Sequence, residues 1–199
     1  MKILIAGSTG KTGLRLTRQL MDAGHLPIAM HRASSDTSDL PEGVAKREAD
    51  LTDLSDDVCE GADVVVFAAG SGGDTSAEMT DRVDRDGAMK LIDIAAKHGV
   101  DHFVMLSSVG ADEPDPQSDL AHYLKAKHDA DEHLMASGLS YTIVRPVSLT
   151  DDDGARDMVL GEEVDTKGKA ARGDVAAILA RAATDRTLAG KVFLLESRT

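Results

Sequence analysis

"KILIAGSTGKTGLRLTRQLMDAG", residues 2–24, holds a strand, a turn and a helix without a gap. Residues 2–6 read as a buried strand. "GSTGKTG" follows at once with glycines at 7, 10 and 13, and the next residues place Leu14, Leu20 and Met21 on one side of a helix that Gly24 closes. Early glycines in such a turn permit tight reversal, the last permits close packing of helix on sheet, and free amides at the helix start can hold a pyrophosphate. Thr9 stands where the GxGxxG pattern has its second glycine. The place of the loop, directly after a buried strand at the seventh residue, therefore carries more weight than its spacing. A turn that only packs helix against sheet is the other reading, and the run does not meet the requirements of a Walker A loop.

The alternation continues along the chain. "LPIAMHR" (26–32) reads as a second strand, "VAKREADLTD" (44–53) as a weaker third, and the stretch around Leu54 to Cys59 as a short helix. "ADVVVFAAG" (62–70) is the clearest strand, because its β-branched run lacks polar alternation, as expected when both faces are covered. "DRVDRDGAMKLIDIAAKHG" (81–99) predicts a long helix with Val83, Ala88, Leu91, Ile92 and Ala95 on its apolar side. A fifth strand over 101–110, a helix through "HYLKAKHDADEHL" (122–134) and a sixth strand ending at Pro146 follow. Beyond them come a strand in "DMVLGEEV", a helix opened by Asp174 or a nearby cap, and a last strand in "GKVFLLES". This order predicts an α/β fold, a Rossmann-type doubly wound parallel sheet with helices on both faces. With no repeat and no long linker, residues 1–199 are expected to form one NAD(P)-binding domain in which 147–199 is a short substrate-side elaboration.

Composition narrows the partners. Asp and Glu number 35 against 22 Lys and Arg, a formal charge of −13, so nucleic acid and anionic membranes are repelled. The excess of short carboxylates resembles proteins of salt-loving microorganisms. The lone Cys59 excludes an internal disulfide, and no segment has the length of a membrane span or a signal-peptide core, which points to a cytoplasmic protein, monomer or homodimer.

Individual residues suggest chemistry. The second strand ends in "HRASS" rather than the Asp or Glu that grips ribose hydroxyls in NAD sites. Arg32 can pair with a 2′-phosphate, or can simply be solvated beside an acidic loop. Asp50 with Leu51 can meet adenine, or Asp50 can be a turn residue. Tyr123 and Lys127, four apart on a helix, share one face. A cation beside a phenol favours the phenolate and eases proton transfer, and Ser108 at a strand end can orient a substrate oxygen. Alone, the pair also fits an exposed helix.

Taken in order, "GSTGKTG", "HRASS", "ADLTD", "VVVFAAG", "VDRDGAMKLIDIAAKHGV", "HFVMLSSVGA", "YLKAKHDADEHLMASGLSYTIVRP" and "RGDVAAIL" resemble the atypical branch of the short-chain dehydrogenase/reductase superfamily, with its NmrA-like and biliverdin reductase B-like members. The resemblance covers essentially the whole chain. It implies that the loop Gly7, Ser8, Thr9, Gly10, Lys11, Thr12 and Gly13 holds the pyrophosphate and Arg32 the 2′-phosphate of NADP. It places Asp50 and Leu51 at adenine, Ala69 and Gly70 at the ribose side, Lys127 on ribose, and Pro146 and Val147 beside nicotinamide. Ser108, Tyr123 and Lys127 match the catalytic positions, with Ser107 as a substitute for Ser108. Asp84 occupies the place where related enzymes commonly carry asparagine, which changes the charge of any proton relay.

The seven histidines form no convincing ligand set and "DDDGARD" (151–157) lacks calcium-loop spacing, so no metal is expected. The expected function is an NADP(H)-dependent reductase acting on a small carbonyl, quinone or flavin-like acceptor. A cofactor-responsive regulator without turnover and an NAD(P)-dependent epimerase are the alternatives.

Overall fold

The computed structural model describes residues 1–72 and 75–198, leaving residues 73, 74 and 199 outside the described residues. In chain order the elements are β1 (Lys2–Ala6), α1 (Lys11–Asp22), β2 (Leu26–His31), β3 (Ala45–Glu48), β4 (Val64–Phe67) and α2 (Ala77–Thr80). A π-helical segment (Asp81–Gly87) leads into α3 (Ala88–Lys97), then β5 (His102–Leu106), α4 (Ala121–Ala136), β6 (Tyr141–Pro146), β7 (Ser148–Thr150) and β8 (Met158–Leu160). The chain closes with β9 (Lys169–Ala171), α5 (Arg172–Thr184) and β10 (Lys191–Ser197).

Eight strands form one sheet in the order β3-β2-β1-β4-β5-β6-β10-β8, and β7 pairs with β9 beside it. Every neighbouring pair in the large sheet is parallel except β10 with β8. The order reverses at β1, where β2 lies on one side and β4 on the other, which is the Rossmann arrangement. The unalternated apolar strands follow from cover on both faces. Ile3, Ile5, Val64 and Val66 pack with Leu16, Leu20 and Leu179 on one side. Leu4, Val65 and Phe67 pack with Leu91, Ile92 and Leu134 on the other. All four side chains of β4 are fully buried, and each such Val or Phe contributes about 1.5–3 kcal/mol. Past residue 147, β10 extends the main sheet by pairing with β6, and α5 packs on α1.

Several local expectations are corrected. The stretch around Leu54 to Cys59 is a run of turns, with Val58 N donating to Ser55 O and Glu60 N to Asp57 O, yet Val58 and Cys59 are buried. On α1 the buried stripe is Gly13, Leu16, Thr17 and Leu20, while Leu14 and Met21 are only half-buried. Thr17 enters this stripe because its hydroxyl donates to Gly13 O at 2.8 Å. Helix α5 starts at Arg172, and Asp174 lies in its first turn, accepting from Arg156 N and Ser197 Oγ rather than capping the helix.

The expected long helix from residue 81 begins at Ala77 and is π-helical from Asp81 to Gly87. Val83 consequently lines a cleft instead of joining the core. Gly87 is required there, since a Cβ would meet Leu51 O at 2.8 Å. The missing side chain lets the widened helix lie against the loop after β3.

Candidate functional site

The loops after β1, β2, β3 and β4 enclose a cleft of about 540 Å³ at the carboxyl ends of the strands, on both sides of the β1/β4 reversal. Open α/β sheets take ligands at this place. Gly7, Thr9, Gly10, Arg32, Asp50, Leu51, Ala69 and Gly70 all line it. The remaining loop residues sit elsewhere. Ser8 is buried and donates its hydroxyl to Met30 O at 2.7 Å, which ties the glycine turn to β2. Thr12 and Gly13 are buried, and the exposed side chain of Lys11 meets Asp151. A Cβ on Gly13 would fall 2.1 Å from Gly7 O, so only glycine lets α1 begin so close to the strand. The first turn of α1 has no acidic residue and no side-chain cap, leaving its amides and the positive end of the helix to an anion. A glycine cradle backed by an uncapped helix start fits a pyrophosphate.

Asp50 holds its shape through Thr52, whose amide and hydroxyl both reach Asp50 Oδ1, at 2.9 and 2.8 Å. The Thr52 amide, with smaller contributions from Arg32 and Arg82, keeps its carboxyl below the usual range. Arg82 had no marker in the sequence. The π-helical segment brings it, with Val83, onto the cleft wall, and Ser35, Thr75 and Met79 are further wall residues that the sequence left unmarked.

The Tyr123 and Lys127 pair lies on α4, beyond the residues that line the cleft. Tyr123 is half-buried, and Lys127 is only 3% exposed. Its Nζ is 3.0 Å from Asp84 Oδ1, 3.4 Å from Leu106 O, and 5.5 and 5.7 Å from the ring centres of Phe67 and Tyr123. Asp84 is fully buried, and its Oδ2 accepts from Ser71 N at 2.9 Å. Burial pulls the Lys127 ammonium down, but Tyr123 and Asp84 outweigh it and raise it above its ordinary value. Asp84 is therefore the direct partner of Lys127, and it links the pair to the loop that starts at Gly70.

Ser107 and Ser108 separate clearly. Ser107 is buried and donates to Asp131 Oδ2 at 2.7 Å, which removes it as a substitute donor. Ser108 is half-buried, and among the described residues its hydroxyl makes only a long contact of 3.3 Å to Val109 O. Pro146 is buried at the end of β6, and its carbonyl accepts from Val109 N. Val147 packs into the core at 2% exposure. Among the described residues no group of three His, Cys, Asp or Glu could hold a metal ion, and no helix is long and apolar enough to cross a membrane.

The chain is similar in sequence and fold to known proteins. A family described as NAD(P)H-binding matches residues 7–186. The "Uncharacterized sugar epimerase YhfK" of Bacillus subtilis is 33% identical over 199 residues, spanning 97% of this chain and 92% of its own. The structure named "Putative NAD-dependent epimerase/dehydratase" from Bacillus halodurans superposes with a TM-score of 0.93 at 35% identity, covering 100% of this chain and 94% of the other. The oxidoreductase ylbE of Lactococcus lactis gives 0.86 at 28% identity, with 100% and 92% coverage.

Proposed function

The chain belongs to the NAD(P)H-binding family of Rossmann-fold enzymes of oxidoreductase and epimerase type, and on that premise we propose a reaction for it. The substrate is a small polar molecule with an oxygen-bearing carbon, NADP(H) is the cofactor, and the outcome is epimerisation. Bound in the cleft, the cofactor supplies reversible hydride transfer, which inverts a carbon when the hydride is taken and returned on opposite faces. The observation that supports proton-coupled chemistry beside it is the buried Asp84 and Lys127 pair with the half-buried Tyr123 ring next to it. Tyr123 gives or takes the proton at the substrate oxygen, Lys127 stabilises the phenolate, and Ser108 donates to the same oxygen. The names of the Bacillus relatives favour the epimerase outcome.

Net reduction of a small carbonyl, quinone or flavin-like acceptor is the second reading, favoured by the Lactococcus oxidoreductase. Cofactor accounting separates the two. With a panel of small sugars and hydroxy acids, an epimerase isomerises substrate while the NADPH absorbance stays constant, whereas stoichiometric loss of NADPH with a carbonyl acceptor selects the reductase. Turnover of neither kind sinks the proposal.

The preference for NADP rests on Arg32 directly after β2, with no carboxylate in its place and Arg82 a second cation lining the same cleft. Arg32→Ala is expected to weaken NADPH binding about 10- to 100-fold, corresponding to about 1.4–2.8 kcal/mol, and to leave NADH nearly unchanged. Fluorescence titrations at matched salt decide it. Equal NADH and NADPH affinity in the parent excludes the assignment.

A further inference from the structure

Helix α4 carries Tyr123, Lys127 and Asp131 at four-residue intervals, so a phenol, an ammonium and a carboxylate stand in line on one face. Asp131 is fully buried. Its Oδ2 accepts from Ser107 Oγ at 2.7 Å and Arg145 Nε at 3.1 Å, and lies 3.0 Å from Arg145 Nη2. Its Oδ1 has no hydrogen-bond partner among the described residues. A guanidinium and a carboxylate that served only to hold strand to helix would gain most from two parallel bonds to two oxygens. Here one oxygen takes every bond, and the other stays inside the protein one helical turn from Lys127.

Lys127 is met from every side. Asp84 faces it from the π-helical segment, Tyr123 and Asp131 from its own helix, the Phe67 ring from β4 and the Leu106 carbonyl from β5. Arg145 on β6 reaches this group through Asp131. Two carboxylates and two cations thus alternate and balance.

We propose that Asp131 is a positioning residue of the site, setting through Lys127 the charge that Tyr123 meets, and holding Ser107 so that Ser108 is the hydroxyl left to the crevice. This rests on the Tyr123 and Lys127 reading above. Arginine stays protonated, and its guanidinium 3.0 Å from Asp131 Oδ2 favours the charged carboxylate, while burial raises that carboxyl and Ser107, Arg145 and Lys127 oppose the rise. Lys127 feels Asp131 after Tyr123 and Asp84, in the same direction as both.

The chain has no Trp and two Tyr, so the ultraviolet absorbance of phenolate reports Tyr123 once a Tyr123→Phe trace has removed Tyr141. The full chain is titrated without ligand as parent, Asp131→Asn, Asp131→Glu and Asp84→Asn. Asparagine keeps the shape and can still accept from Ser107 and Arg145, so a packing role alone leaves the tyrosine midpoint where it was. Loss of the negative charge leaves Lys127 less compensated, and Asp131→Asn is expected to lower the midpoint by about half a unit or more. Asp131→Glu is expected to hold the parent value. Asp131→Ser, also neutral, replaces Asp131→Asn where the latter does not fold. A midpoint unmoved or raised in the neutral variant, with Asp84→Asn still lowering it, overturns the role of Asp131 and spares the Tyr123 and Lys127 reading. A midpoint that ignores Asp84→Asn as well overturns both.

Discussion

Tyr123→Phe is expected to lower turnover by about 10²- to 10⁴-fold, the usual worth of a positioned proton donor, with NADPH affinity changed by less than about twofold. The split arises because the Tyr123 ring lies against the Lys127 ammonium on α4, while the residues that line the dinucleotide cleft come from the loops after β1 to β4. Loss of the hydroxyl therefore removes proton transfer without disturbing the cradle. A flavin-like acceptor needs little side-chain acid, so steady-state rates are compared on a sugar or carbonyl substrate and on a flavin. Undiminished rates on the sugar or carbonyl remove Tyr123 from the chemistry.

Lys127→Met carries the other large effect. Asp84 is fully buried, and Lys127 is its counter-charge at 3.0 Å. Removal of one partner of a buried pair leaves a charge without compensation, which costs about 3–5 kcal/mol, whereas replacing both with apolar residues of similar volume is often near neutral. Urea unfolding should show Lys127→Met destabilised by that amount, and Lys127→Met with Asp84→Leu recovering most of it. The Ser71 amide, which loses its acceptor in the double variant, keeps recovery incomplete. If Lys127→Met stays within about 1 kcal/mol of the parent, the pair is hydrated in solution and its dielectric is far higher than its burial implies.

The parts of this protein that were legible in its sequence are those whose cause is local. KILIA followed by GSTGKTG declares a strand, a turn and a helix, and the unbroken run in β4 declares a doubly covered strand, because burial on both faces leaves no room for polar alternation. Arg32, Asp50 and Gly70 were readable because each lies within three residues after a strand, at the ligand end of the sheet. Asp131 was not, since a carboxylate in "KAKHDADEH" reads as solvent-facing until Ser107, just past β5, and Arg145 on β6 are brought to it. Val83 was misplaced, and Arg82 left unmarked, for a different reason. Periodicity assumes a constant number of residues per turn, and Asp81–Gly87 breaks that assumption. Conversely, the half-buried Leu14 and Met21 show that an apolar residue on a helix need not belong to its deepest stripe when a threonine can satisfy its own hydroxyl.

The π-helical turn also makes chain length part of the site. One residue fewer between Asp81 and Gly87 restores an ordinary helix and rotates the residues before the cut by about 100° relative to those after it. Asp84, lying inside that turn, then leaves Lys127, while Gly87 still abuts Leu51. A single-codon deletion in this segment thus acts like a charge substitution without altering any of the residues that remain. In comparing sequences across this enzyme group, a gap at this turn carries as much chemical meaning as a changed letter.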